Sequence, residues 1–193
     1  MNYIVFDIET KNTFSEVMST NPVDLDISIV SLYEKKTDKY KSFTEEEFPK
    51  MWPILEGSDS LVGYNSEHFD IPLLNKYYHG DLNNLKSIDL MAYIKNSFGK
   101  RPKLDNVAAG TLGRKKIANG LEAVEWWKQG KIEKIKKYCE EDVAITKDIF
   151  EYILKNQSVK IKDRMSDKIF EVRIDTTNWL DVDDGAKITK SLF

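Results

Sequence analysis

The sequence predicts an α/β domain with an antiparallel meander at its head. Three features carry that reading: the first 44 residues are strand-like, strand and helix patterns alternate after them, and helical patterns fill the stretch ending near residue 154.

A first strand is expected at about residues 2–8, a second at 27–33 and a short third near 40–43. Asp26 and the charged turn of residues 34–39 bracket the second. A helix over 45–55 follows, weakened by Pro49 and Pro53 and ended by residues 57–59. Residues 60–64 read as a strand and 71–78 as a helix, with Pro72 in its first turn, where the missing N–H costs little. A short strand at 88–90 leads into a helix at 91–95, and helical patterns recur at 104–112, 121–129 and 131–154. The character then changes: 159–162 and 169–174 read as short strands, followed by an acidic turn at 181–185 that contains Asp183 and Asp184. The chain thus divides into a body of residues 1–155 and a C-terminal hairpin or tail of 156–193.

At 193 residues the chain can bury a core, and 41% apolar with 32% charged residues is ordinary for a soluble globular protein. No apolar run nears the roughly 18 residues of a membrane helix, and no basic, apolar leader precedes the first strand. No membrane contact or targeting segment is therefore expected. Cys139 is the only cysteine, which rules out an intramolecular disulfide and a cysteine zinc cluster and fits a reducing, cytoplasmic setting. The net charge of −3 neither advertises nor excludes a polyanionic partner, because contact depends on where the cations sit.

Three short acidic segments stand out. In the first, Asp7 and Glu9 lie two apart in a strand and so share a face with Tyr3 and Val5, while Ile4, Phe6 and Ile8 fill the other. Acids ending a strand that is apolar on both faces need a cation or strong partners, unless the strand stops at Phe6 and both face water. In the second, Asp70 stands at a strand-to-helix junction, where its plainest role is a helix N-cap. In the third, Asp142 falls on the inward stripe of the long helix, in line with Ile135, Cys139, Ile145 and Ile149, and Tyr138 lies one turn before it. A buried acid of that kind is either paired with Lys or Arg or holds something. Were the four carboxylates to converge, their repulsion would call for divalent cations, and hard oxygen ligands suit Mg²⁺ or Mn²⁺. Two such ions clamp the attacking and leaving oxygens of a phosphodiester displacement.

The three segments together resemble the DEDDy branch of the 3′→5′ exonucleases. That family's first motif stands here as Phe6-Asp7-Ile8-Glu9-Thr10, the second as Asn65 through Phe69-Asp70, and the third as Tyr138 through Asp142. The resemblance spans residues 1 to about 155. It implies a ribonuclease H-like fold, a mixed central sheet flanked by helices, and release of nucleoside monophosphates from 3′ ends of single-stranded nucleic acid or a frayed 3′ end. It also implies that Asp7, Glu9 and Asp142 hold a first metal, that Asp7 and Asp70 serve a second, and that Tyr138 orients the attacking water. The sister branch places a His where Lys137 stands, which favours the tyrosine type. By the same analogy Thr10, Asn65 and Phe69 contact the terminal nucleotide. Residues 103–113 look like the exonuclease domains of family B polymerases and their stand-alone relatives. DNA is the favoured substrate over RNA, although the residues themselves do not distinguish the two, since none that would read a 2′-hydroxyl is identifiable.

Residues 95–116 carry Lys95, Lys100, Arg101, Lys103, Arg114, Lys115 and Lys116 against one acid, Asp105, and form either a phosphate-contacting strip or a solvated loop region. Lys103 is the substrate-binding candidate among them, Phe98 offers a face for base stacking, and Asp105 reads as a helix cap. Ile188, Leu192 and Phe193 either pack on the body or dock on a protein partner. The reading that competes with an exonuclease is a nucleic-acid-binding module of the same fold without turnover.

Overall fold

In the computed structural model the described residues are 1–114, 120–163 and 165–181. Lys115, Lys116, Asp183, Asp184 and the terminal Ile188, Leu192 and Phe193 lie outside them.

Strand β1 (Tyr3–Thr10) is the centre of a five-stranded sheet. On one side it pairs antiparallel with β2 (Ile27–Glu34), which pairs antiparallel with β3 (Lys39–Phe43). On the other it pairs in parallel with β4 (Ser60–Gly63), which pairs in parallel with β5 (Ser87–Asp89). The spatial order is β3-β2-β1-β4-β5, so the meander expected at the head of the chain is one half of a mixed sheet. β1 does not stop at Phe6. It runs to Thr10, with a register irregularity between Glu9 and Thr10, a device that re-aims side chains at a sheet rim.

The two faces of β1 serve two cores. Ile4, Phe6 and Ile8 pack with α1 (Phe48–Glu56) and α2 (Asp70–Asn75). Tyr3 and Val5 pack beneath α6 (Ile132–Asn156), whose buried stripe runs from Ile135 to Ile153. In chain order, α3 (Leu90–Phe98), α4 (Leu104–Thr111) and α5 (Gly120–Lys128) come between α2 and α6, and α3 and α4 share the core beneath α6. α1 forms despite its prolines because Pro49 occupies the first turn, where its N–H would be unpaired; Pro53 is accommodated inside a helix of only nine residues. Trp126 of α5 is buried against Tyr138, while Trp127 is partly exposed with the Lys11 ammonium 5.2 Å from its ring.

Past α6 the chain forms the expected hairpin, β6 (Ser158–Lys162) and β7 (Ile169–Arg173). It shares the core of the body: Val159, Ile161 and Val172 are buried with Val107, Ile149 and Phe150. α4 covers the free edge of β6 by replacing strand contacts with side chains. Asn106 Nδ2 donates to the Lys162 carbonyl (2.9 Å), and Thr111 Oγ1 donates to the Lys160 carbonyl (2.7 Å) while accepting from the Lys160 amide (3.0 Å). Gly110 permits this approach, since a Cβ there would collide with the Lys160 carbonyl and stand 2.7 Å from the Lys162 nitrogen. Gly110→Ala should therefore destabilise the protein by about 2 kcal/mol, read as a fall in the urea midpoint with an unchanged slope.

Candidate active site

Three elements bring the acidic segments to one place. β1 presents Asp7 and Glu9 on its α6-facing side, α6 presents Asp142 with Tyr138 one turn before it, and α2 presents Asp70 from its first residue. Carboxylate oxygens of Asp7, Glu9 and Asp142 all lie within 4.8 Å of one another. At such a separation two like charges repel by roughly 3 kcal/mol at the effective dielectric of a protein site. Glu9, Asp70 and Asp142 are buried and Asp7 half-buried.

The electrostatics follow from that crowding. Burial, then the charge of Asp7, then that of Asp89, push the Asp70 carboxyl well above the ordinary carboxylate range, against the pull of the Asp70 and Ile8 amides. Burial, followed by the charges of Asp142, Glu9 and Asp7, raises the Tyr138 phenol, so it stays protonated and available as a donor. Cys139 sits beneath the cluster as a buried thiol whose Sγ donates to the Asp7 carbonyl (3.3 Å) and lies 3.8 Å from Asp7 Oδ2. Burial and the Asp7 charge hold that thiol protonated.

The acids open onto a cleft of about 1060 Å³. Asp7, Glu9, Asp70, Tyr138 and Asp142 all line it, and so do Thr10, Asn65, Phe69 and Lys103. The donor set is all oxygen, multiply charged and partly buried, which fits a hard divalent cation such as Mg²⁺ or Mn²⁺.

A family model of the RNase_H superfamily matches residues 4–154. The chain belongs to the RNase H superfamily. Membership supports nuclease-type chemistry on nucleic acid. Among solved structures, the family B DNA polymerase from the hyperthermophilic archaeon Pyrobaculum calidifontis matches with a TM-score of 0.60 at 19% identity, a likeness of fold. The match covers 80% of this chain and 24% of that polymerase, so the chain spans about a quarter of its length. No curated protein matches in sequence. No helix among the described residues is long and apolar enough to cross a membrane.

In this superfamily member several cleft residues had no signal in sequence spacing. One wall is the loop of residues 12–15, where Phe14 stands edge-on to Phe69 with ring centroids 6.1 Å apart. That loop is tied to α5, which also lines the cleft, through Glu16: its carboxylate accepts from the Thr13 amide (2.7 Å) and from Lys128 Nζ (2.6 Å). The Lys128 contact is the main reason the exposed Glu16 carboxyl is lowered to about 2. Asp105 lines the cleft from the first turn of α4 and is not its cap; Lys103 holds the cap position. Nor is Asp70 the cap of α2, because Phe69 is, which leaves the Asp70 carboxylate turned to Asp7. Lys115 and Lys116 of the basic strip fall outside the described residues.

The residue that organises the second motif is Asp89, the last residue of β5. Its Oδ1 accepts from the amides of Asn65 (2.8 Å), Met91 (3.0 Å) and Ala92 (3.2 Å), and its Oδ2 from that of Glu67 (3.2 Å). One carboxylate thereby caps α3 and holds the loop in which Asn65 adopts φ 66, a conformation asparagine tolerates better than most residues. The sequence shows only an acid inside the short strand expected at 88–90. Asp89→Ala should cost about 3 kcal/mol, and Asp89→Asn, which keeps one acceptor oxygen, less than half of that in the same urea titration.

Asp70 carries a second expectation. Its folded pKa lies above the unfolded one, so the ionised carboxylate opposes folding, and stability falls as pH rises through and beyond the ordinary carboxylate range. In EDTA at neutral pH, Asp70→Asn should be more stable than the wild type, read as a higher urea midpoint. The difference should shrink below that range, and added Mg²⁺ should raise the melting temperature of the wild type more than that of the variant.

Proposed function

We propose that this protein is a metal-dependent 3′→5′ exonuclease that hydrolyses phosphodiester bonds at 3′ ends of single-stranded nucleic acid, DNA before RNA, releasing nucleoside monophosphates. The observation that carries the reading is the convergence of Asp7, Glu9 and Asp142 with Tyr138 one turn before Asp142, in a cleft that also holds Asp70. Residues 1–155 form the catalytic unit, and the single buried cysteine suits a reducing compartment.

Asp7, Glu9 and Asp142 would hold one divalent cation, and Asp7 with Asp70 a second. When bound, such ions neutralise the phosphodiester and the carboxylates and supply a water of lowered pKa. Tyr138, kept protonated by burial and by the charges of Asp142, Glu9 and Asp7, would donate a hydrogen bond that orients the attacking water. Asn65, presented by its left-handed backbone, and Phe69, braced by Phe14, position the terminal nucleotide; Thr10 and Lys103 flank it. Lys103, which lines the cleft at the start of α4, serves the entering phosphate.

A 5′-labelled single-stranded DNA incubated with Mg²⁺ or Mn²⁺ should yield a ladder that shortens from the 3′ end. EDTA, Asp7→Ala and Asp142→Ala should each abolish it, and Tyr138→Phe should lower kcat roughly hundredfold with little change in KM. Metal-independent cutting, or binding without any cutting, would sink the reading, the latter in favour of a silent binding module.

A further inference from the structure

Most of the cations between residues 95 and 103 lie outside the cleft. Gly99, at φ 74, turns the chain out of α3, and residues 100–103 then run without helix or strand back to the start of α4. Tyr64, itself a cleft residue, pins this segment by donating from Oη to the Pro102 carbonyl at 2.7 Å. Lys103 reaches the cleft, while Lys100 and Arg101 are exposed on the way to it. Five residues from Phe98 to Lys103 span at most about 18 Å.

At the outer end of the segment stand two aromatic rings. Phe98 closes α3, and Phe170 of β7 meets it with ring centroids 5.7 Å apart at 50°. Lys100 Nζ lies 5.9 Å from the Phe98 ring. Phe170 is 40% exposed, although Val159, Ile161 and Val172, its neighbours on the same face of the hairpin, are buried. Lys95 precedes Phe98 by one turn on the same helix face. The ion pairs nearby are Arg114–Asp148 and Lys162–Asp167, which leaves Lys95, Lys100, Arg101 and Lys103 without one among the described residues. Asp163, in the hairpin turn, is the acid that feels the charge of Lys100.

We infer that this strip is a second nucleic-acid subsite, in which the Phe98–Phe170 pair stacks a base upstream of the 3′ end and Lys100 and Arg101 meet the phosphates between. Uncompensated cations beside an exposed ring are the combination that single strands bind, charge following the backbone and the ring accepting any base. The occupant is a single-stranded polynucleotide, because a duplex offers no free base face to the ring. The hairpin thereby acquires a role: it supplies the ring that α3 alone lacks. The direction of the strand rests on the exonuclease reading; the binding does not.

The test is fluorescence anisotropy of a 5′-fluorescein 12-nucleotide DNA in EDTA, with turnover of that DNA and of a dinucleotide in Mg²⁺ alongside. Phe170→Ala and the double variant Lys100→Ala/Arg101→Ala should each weaken binding of the 12-mer roughly tenfold, with Phe170→Trp restoring it. The double variant should also flatten the salt dependence, by about 0.7 in log–log slope for each cation removed. In turnover, KM for the 12-mer should rise while kcat and the dinucleotide parameters stay put. Unchanged 12-mer affinity in both variants would overturn the subsite, as would an equal loss on the dinucleotide. Loss of binding in the variants of a wild type that cuts neither substrate would leave the subsite standing and remove the exonuclease.

Discussion

Burial of β1 on both faces is the constraint from which the rest of the molecule follows. A strand apolar on two sides must sit in mid-sheet with helices above and below it, and α6 and the α1–α2 pair occupy those places. With β1 fixed, the residues that end it have no choice of neighbours. Asp7 and Glu9 continue the alternation that puts Tyr3 and Val5 under α6, so they must face that helix too. Extension to Thr10 carries both acids past the apolar core to its open rim, where a cleft begins.

The mixed direction of the sheet decides what meets them. β4 and β5 run parallel to β1, so their C-terminal ends open at the same rim and the loops that follow them converge there. One loop leads to Asp70 at the head of α2; the other is the tight junction at Asp89. Asp89 joins the two by accepting amides from both sides of the gap, which turns separate crossovers into one braced rim. The braced rim can hold carboxylates at separations where they oppose one another, because the opposition is resisted by two apolar cores. Stability is thus generated in the sheet and spent at its edge.

What could be read from the sequence divides along the same line. β1 and α6 announce themselves because their periods are long and regular, and Asp142 stands out as a charge on an apolar stripe. The acids of the first and third segments are legible for that reason. Asp70 alone reads as an N-cap, and only geometry shows Phe69 in that position and the carboxylate facing Asp7. Asp105 misleads in the same way, since it lies two residues past the cap position, inside the first turn. Asp89 and Phe14 were not legible at all. Their roles depend on amides and rings brought from elsewhere in the chain, and local pattern carries no trace of those partners. The hairpin was visible as two strands, but its union with the body rests on Gly110, Asn106 and Thr111 of a helix some fifty residues earlier.

Position 139 shows how closely helix and strand are matched at the site. α6 packs against β1 with the side chain of Cys139 directed at the Asp7 backbone, and the thiol donates to the carbonyl there. A larger apolar residue would push α6 away from β1 and carry Tyr138 and Asp142 with it, because all three share two turns of one rigid helix. A smaller one would leave a void under the most crowded charges in the protein. A thiol fills the space, gives a weak donor to the Asp7 carbonyl, and is held un-ionised by its burial and then by the carboxylates it supports. The lone cysteine therefore reads as part of the acidic cluster's foundation, and the spacing Tyr138-Cys139 with Asp142 as a single unit in which donor, spacer and acid are set by one turn of helix.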